Sequence, residues 1–155
     1  MKKIRNIFIA HCGEHEESIE NFKKLMGPKS YSFRDSSHTT KDPNKAENKD
    51  YIKGLLRDSI RWAGTVIVLI GRDTHENDWI DFEVRTAERF GNKQIIGVYL
   101  PSSQEHQIPP ALDDYGDALV TWNREKINQA LNGEPIWCKP DGSFRPDRDI
   151  DRETC

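Results

Sequence analysis

Apolar residues in this chain fall into short unbroken runs separated by segments with helical periodicity. Ile4 to Ala10 (IRNIFIA) is apolar, rich in β-branched residues and too short for a helix, so it predicts a buried strand. Glu16 to Met26 places Ile19, Phe22, Leu25 and Met26 on one helical face and stops at Gly27-Pro28. Tyr31 to Arg34 predicts a second, shorter strand. Tyr51 to Ala63 predicts a helix with Tyr51, Ile52, Leu55, Leu56, Ser59, Trp62 and Ala63 turned inward. Thr65 to Gly71 (TVIVLIG) is the most apolar run, and its lack of alternation marks a strand buried on both faces. Gln94 to Leu100 and Ala118 to Thr121 predict two more strands. A short helix is expected near Pro110 to Asp114, and a last one from Asn123 to Leu131, closed by Asn132-Gly133.

This alternation of strand and helix predicts an α/β fold: a flavodoxin-like three-layer sandwich around a five-stranded parallel sheet of order 2-1-3-4-5. Ligands in such sheets bind beyond the carboxyl ends of the strands, at the switch between strands one and three. That edge collects His11 to His15, the loop after Arg34, Arg72 to Asp78 and the first turns of the helix that begins near Trp79. Asp35 to Asp50 holds no apolar residue except Ala46, and a polar connection of that length is a lid or an unstructured insert. Residues 1–133 are expected to form the domain. Residues 134–155, with three prolines and few apolar anchors, are expected to be a docked strap or partly disordered.

One helix carries a charge in the wrong place. From Asn77 to Gly91, Trp79, Phe82, Thr86, Ala87 and Phe90 share one face, and Asp81, Arg85, Glu88 and Arg89 share the other. Asp78 is the expected N-cap, with Asp81 as a weak capping-box partner. Glu83 lies one turn after Trp79, inside the apolar stripe. A carboxylate there is either tethered, with Arg72 or Lys93 as its structural partner, or kept for chemistry.

Composition narrows the options. Charged residues make up 32% of the 155 positions at a net charge of −3, so no basic field invites nucleic acid or an anionic membrane. The three cysteines, Cys12, Cys138 and Cys155, show no CxxC spacing, which predicts a reducing, cytoplasmic setting. No run is long enough to span a bilayer, and no signal-type apolar segment follows the N-terminal lysines. His11, Cys12, Glu14 and His15 crowd one turn without a distant ligand pair, so no metal site is expected. Gly13 stands alone, which argues against a phosphate-binding glycine loop. Strand three ends Ile70-Gly71 without the acceptor aspartate of a response-regulator receiver.

The order of these segments resembles the TIR domain family, and in particular bacterial TIR-like proteins of the Thoeris antiphage type. The likeness rests on IFIAHCGEHEES, YSFRDSS, TVIVLIG and NDWIDFE followed by AERFGNKQIIGVYL, from about Ile4 to Val98 and more weakly to Leu131. It implies an enzyme that cleaves NAD+ between nicotinamide and ribose, with NAD+ as substrate, no separate cofactor and Glu83 at the catalytic position. It implies substrate contacts from His11, Cys12, Phe33, Arg34, Asp35, Ser36, Arg72 and Trp79. Family members often carry Ser before the position of His11, where this chain has Ala10, so that hydroxyl contact is missing. The resemblance further implies a homo-oligomer formed through TIR surfaces, and a separate effector protein activated by a cyclic ADP-ribose product.

The chemistry is intelligible with one carboxylate. The pyridinium of NAD+ is already cationic and departs as neutral nicotinamide, so no second carboxyl group is needed to protonate the leaving group, unlike in ordinary glycosidases. Two alternatives remain open at this point. One is a non-catalytic TIR scaffold acting by self-association. The other is a nucleoside deoxyribosyltransferase-like enzyme, whose glutamate also meets a ribosyl cation.

Overall fold

The computed structural model describes residues 5–11, 16–27, 31–35, 49–72, 74–104 and 107–143. Five strands, β1 (Arg5–Ala10), β2 (Tyr31–Asp35), β3 (Thr65–Ile70), β4 (Gln94–Tyr99) and β5 (Ala118–Val120), form one sheet of order β2-β1-β3-β4-β5. Every pairing is parallel, with Ile7 beside both Phe33 and Thr65, and Val68 beside Gly97. The flavodoxin-like order expected from the alternation of elements is therefore the observed one. All six residues of β3 are buried, as its unbroken apolar run predicts for a central strand.

Among the described residues, five helices cover the sheet: α1 (Glu16–Met26), α2 (Lys49–Trp62), α3 (Asp78–Phe90), α4 (Pro110–Tyr115) and α5 (Arg124–Leu131). Strand residues alternate between two cores. Phe8, Ala10, Val66, Val68 and Ile70 pack with Ile52 and Leu56 of α2, Ile80, Val84 and Ala87 of α3, and Leu112 of α4. Ile7, Ile9, Ile67 and Leu69 point the other way, to Phe22 and Met26 of α1 and Ile127 and Leu131 of α5. Gly97 keeps the first of these cores closed, because a Cβ there would lie 2.5 Å from Leu119 Cδ2 and 2.7 Å from Leu112 Cδ2.

Two helices differ from the sequence reading. α2 begins at Lys49 rather than Tyr51, and Tyr51 is 42% exposed while Ile52, Leu56 and Ile60 form the buried stripe. The expected inward face of α3 is rotated: Trp79, Phe82 and Phe90 are half-buried flanks, and Ile80, Glu83, Val84, Thr86 and Ala87 are the buried residues. In both helices the aliphatic side chains take the interior. Rings with a polar edge or a neighbouring cation stay at the rim.

The chain beyond Gly133 continues to pack. Leu119 N–H donates to Ile136 O at 2.8 Å and Cys138 N–H to Leu119 O at 2.9 Å, which lays residues 136–138 along β5. Trp137 is fully buried in the core beneath α2, α3 and α4, and Tyr99 Oη donates to Cys138 O at 2.8 Å. Among the described residues no helix is long and apolar enough to cross a membrane.

Candidate functional site around Glu83

The loop after β3 sets the entry of α3. Gly71 N–H donates to Thr74 Oγ1 at 2.8 Å, Thr74 N–H returns to Gly71 O at 3.2 Å, and Thr74 is fully buried. A single 3₁₀ turn, Thr74–Glu76, then delivers Asn77 to the cap. Asn77, not Asp78, is the N-cap: its backbone is extended and its Oδ1 accepts from Ile80 N–H at 3.0 Å. Asp78 thereby becomes the first helical residue, where its charge complements the helix dipole. Gly91 ends the helix in the left-handed region at φ 76°.

This framing brings Glu83 to the middle of the buried face. Ile80 and Ala87 lie one turn away on one side, and Trp79 and Thr86 one turn away on the other. Glu83 is 1% exposed, and its Oε2 has no hydrogen-bond partner among the described residues. Burial pushes its carboxyl well above the usual carboxylate range. The ion pair with Arg72 or Lys93 is not formed. Lys93 Nζ donates to Arg61 O at 2.7 Å, and Arg72 is an exposed residue of the loop after β3. The charged side of the helix is satisfied by contrast, with Arg85 Nε donating to both carboxylate oxygens of Asp81, at 3.1 and 2.9 Å.

The remaining expected contacts are dispersed. His11 is 5% exposed directly after β1, on the sheet edge toward which β3 also points. Phe33 turns to the opposite face of the sheet, where its ring lies 6.1 Å from that of Phe22 and stacks on Tyr31 at 5.9 Å. Arg34 turns to the α2 side, with its guanidinium 4.4 Å above the Trp62 ring. Asp35 is paired with Lys23 at 3.8 Å. Cys12 and Ser36 lie outside the described residues. Trp79 stands beside Phe82, ring centroids 6.1 Å apart and nearly perpendicular, in the wall of a cleft of about 470 Å³.

That cleft opens one turn N-terminal to Glu83. Lys49 and Lys53 of α2 line it together with Glu76, Asn77, Asp78, Trp79 and Phe82. Of the expected site residues, it takes in Trp79. No group of three or more His, Cys, Asp or Glu among the described residues could hold a metal ion.

A family model for the Thoeris protein ThsB, TIR-like domain, matches residues 8–105, which include the second half of β1, the cleft and the whole of α3. The chain belongs to this family. TIR-type defence proteins are therefore its relatives, and Glu83, on the helix after β3, lies within the matched TIR-like domain. A solved structure described as a prokaryotic SEFIR domain is also similar, at 16% identity and a TM-score of 0.49, covering 83% of this chain and 94% of that one. No curated protein matches.

Sequence reasoning missed Lys49 and Lys53 in this TIR-like domain. Lys49 sits at the end of a polar run that reads as loop, and no apolar residue announces the helix before Tyr51. The available signal was the four-residue spacing of Lys49, Lys53, Arg57 and Arg61, which places four cations along one line of α2.

Proposed function

We propose that the chain is a TIR-type NAD+ glycohydrolase or ADP-ribosyl cyclase, with Glu83 as its catalytic residue. The observation that carries this reading is a carboxyl group buried within an apolar stripe with no cation paired to it among the described residues. A structural carboxylate in such a place acquires a partner, because an unpaired buried charge is strongly unfavourable. A carboxyl group reserved for a cationic substrate does not need one. Burial favours the protonated form of the group, and the approach of a pyridinium favours its charged form by Coulombic attraction.

The step balances simply. The bond between C1′ of the ribose and the pyridinium nitrogen breaks, and its electron pair stays on that nitrogen, which leaves as neutral nicotinamide. The positive charge passes to the ribose as an oxocarbenium ion, and the Glu83 carboxylate stabilises it electrostatically and accepts from the ribose hydroxyls. Apolar neighbours exclude water and strengthen that field. Capture of the cation by water, which gives up a proton to solvent, yields ADP-ribose, whereas capture by a nitrogen of the adenine, again with loss of a proton to solvent, yields a cyclic isomer. As a signalling enzyme the protein would hand the cyclic product to a separate effector, and self-association through TIR surfaces would complete its active site.

Purified protein, alone and mixed with lysate from phage-infected cells, is assayed for nicotinamide release from NAD+, with the products identified by mass spectrometry. Loss of release in Glu83→Gln is the expected result. Full activity in that variant would refute the role given to Glu83.

A further inference from the structure

The cleft beside Glu83 combines features that the proposed chemistry does not itself use. Lys49 and Lys53 stand four residues apart on one face of α2, and neither has an ion-pair partner among the described residues. Lys53 Nζ lies 5.5 Å from the centre of the Phe82 ring, so its charge is held over the cleft wall. Arg57 and Arg61 extend the same line of cations along the helix. Across the cleft, the N-terminus of α3 adds the positive end of a thirteen-residue helix. The acids that share the lining are Glu76, beside His75 at 3.4 Å, and Asp78. Two ammonium groups that are not ion-paired with these acids, next to two aromatic rings, fit a phosphorylated aromatic ligand.

We infer that this cleft seats the pyrophosphate of a dinucleotide substrate on Lys49 and Lys53, with Trp79 and Phe82 as its aromatic wall. The inference rests on the reading of Glu83 as the residue at the scissile bond. The spacing agrees with it. One ribose and its 5′-methylene separate that bond from the first phosphate, and Trp79 in the cleft wall stands four residues, one turn of α3, before Glu83. Lys49 and Lys53 thus determine specificity for the diphosphate, while Glu83 acts at the ribose.

The test uses the full chain and two probes, ADP-ribose and adenosine, with affinities measured calorimetrically at low and high salt. Replacing either lysine by Gln is expected to weaken ADP-ribose binding about tenfold and to reduce its salt dependence. Adenosine binding should not change, and Lys53→Arg should restore most of the loss. In turnover the same variants should raise KM for NAD+ with kcat unchanged. Arg61→Gln, which removes a cation of the same row outside the cleft, should leave both constants as they are. Thermal denaturation verifies that each variant is folded.

A folded Lys49→Gln/Lys53→Gln double variant that binds ADP-ribose as the wild type does would overturn the inference. If Glu83→Gln still abolished nicotinamide release in that case, the enzymatic reading would stand without it. Conversely, lysine-dependent binding of ADP-ribose by a chain that releases no nicotinamide would support the cleft and remove the proposed reaction.

Discussion

Glu83 and Thr86 stand one turn apart on the buried face of α3, and Oε2 of the first and Oγ1 of the second both lack a hydrogen-bond partner among the described residues. Two orphaned polar atoms on adjacent positions are uncommon in a packed interior. A hydroxyl buried in this way contributes its desolvation cost and no bond. Thr86→Val, which keeps the shape and removes the hydroxyl, is expected to stabilise the fold by about 1 kcal/mol. The midpoint of urea denaturation reads this directly. A lower midpoint would mean that the hydroxyl is bonded, through an internal water for example.

The environment of Glu83 also makes a prediction about pH. Its folded pKa is raised by burial above the unfolded value, so the fold binds the proton more tightly than the unfolded chain does. The resulting stability is fully present below the ordinary carboxylate range and is lost as pH rises through the folded pKa. Within that window the slope is about 1.4 kcal/mol per pH unit. Glu83→Gln removes the titration. The variant should match the wild type near pH 4 (roughly the unfolded carboxylate value) and become progressively more stable than it at higher pH. Thermal denaturation of both proteins over a pH series measures this, and a constant difference would show that Glu83 is charged in the fold.

Much of this was legible from the amino-acid order, for physical reasons that also mark where legibility ends. The run Thr65 to Ile70 read as a central strand because burial on both faces leaves no alternation. Glu83 stood out because the helical period puts Trp79, Ala87 and Phe90 around it whichever residue caps the helix. Phe33 and Arg34 were harder. In a strand of five residues, β2, either side chain can face either layer, and the parallel register with Ile7 and Phe8 decides which. The cap was misplaced by one residue because Asn77 and Asp78 have equivalent side chains for capping. The bonds between Gly71 and Thr74 select Asn77, and they have no periodic signature.

Asn77 ties the entry of α3 to the cleft, so its loss should be felt in both. Removing the bond to Ile80 N–H in Asn77→Ala is expected to cost about 1 kcal/mol of stability. Asn77→Asp keeps an acceptor at the same position and should recover most of it. Chemical denaturation of the two variants distinguishes capping from packing, because only a capping role predicts recovery by Asp.

Trp137 shows whether the chain after Gly133 is part of the folding unit. Its side chain is fully buried in the same core as Ile80, Val84 and Leu112, and residues 136–138 bond along β5. A decoration would contribute little, whereas a core residue of this size contributes in proportion to the space it fills. Trp137→Ala is expected to destabilise the protein by about 3–5 kcal/mol, enough to unfold a domain of ordinary stability near physiological temperature. Trp137→Phe keeps most of the volume and should retain the fold with a smaller loss. Circular dichroism on heating measures both variants. A cooperative transition at the wild-type temperature in Trp137→Ala would show that the core closes without the segment beyond Gly133.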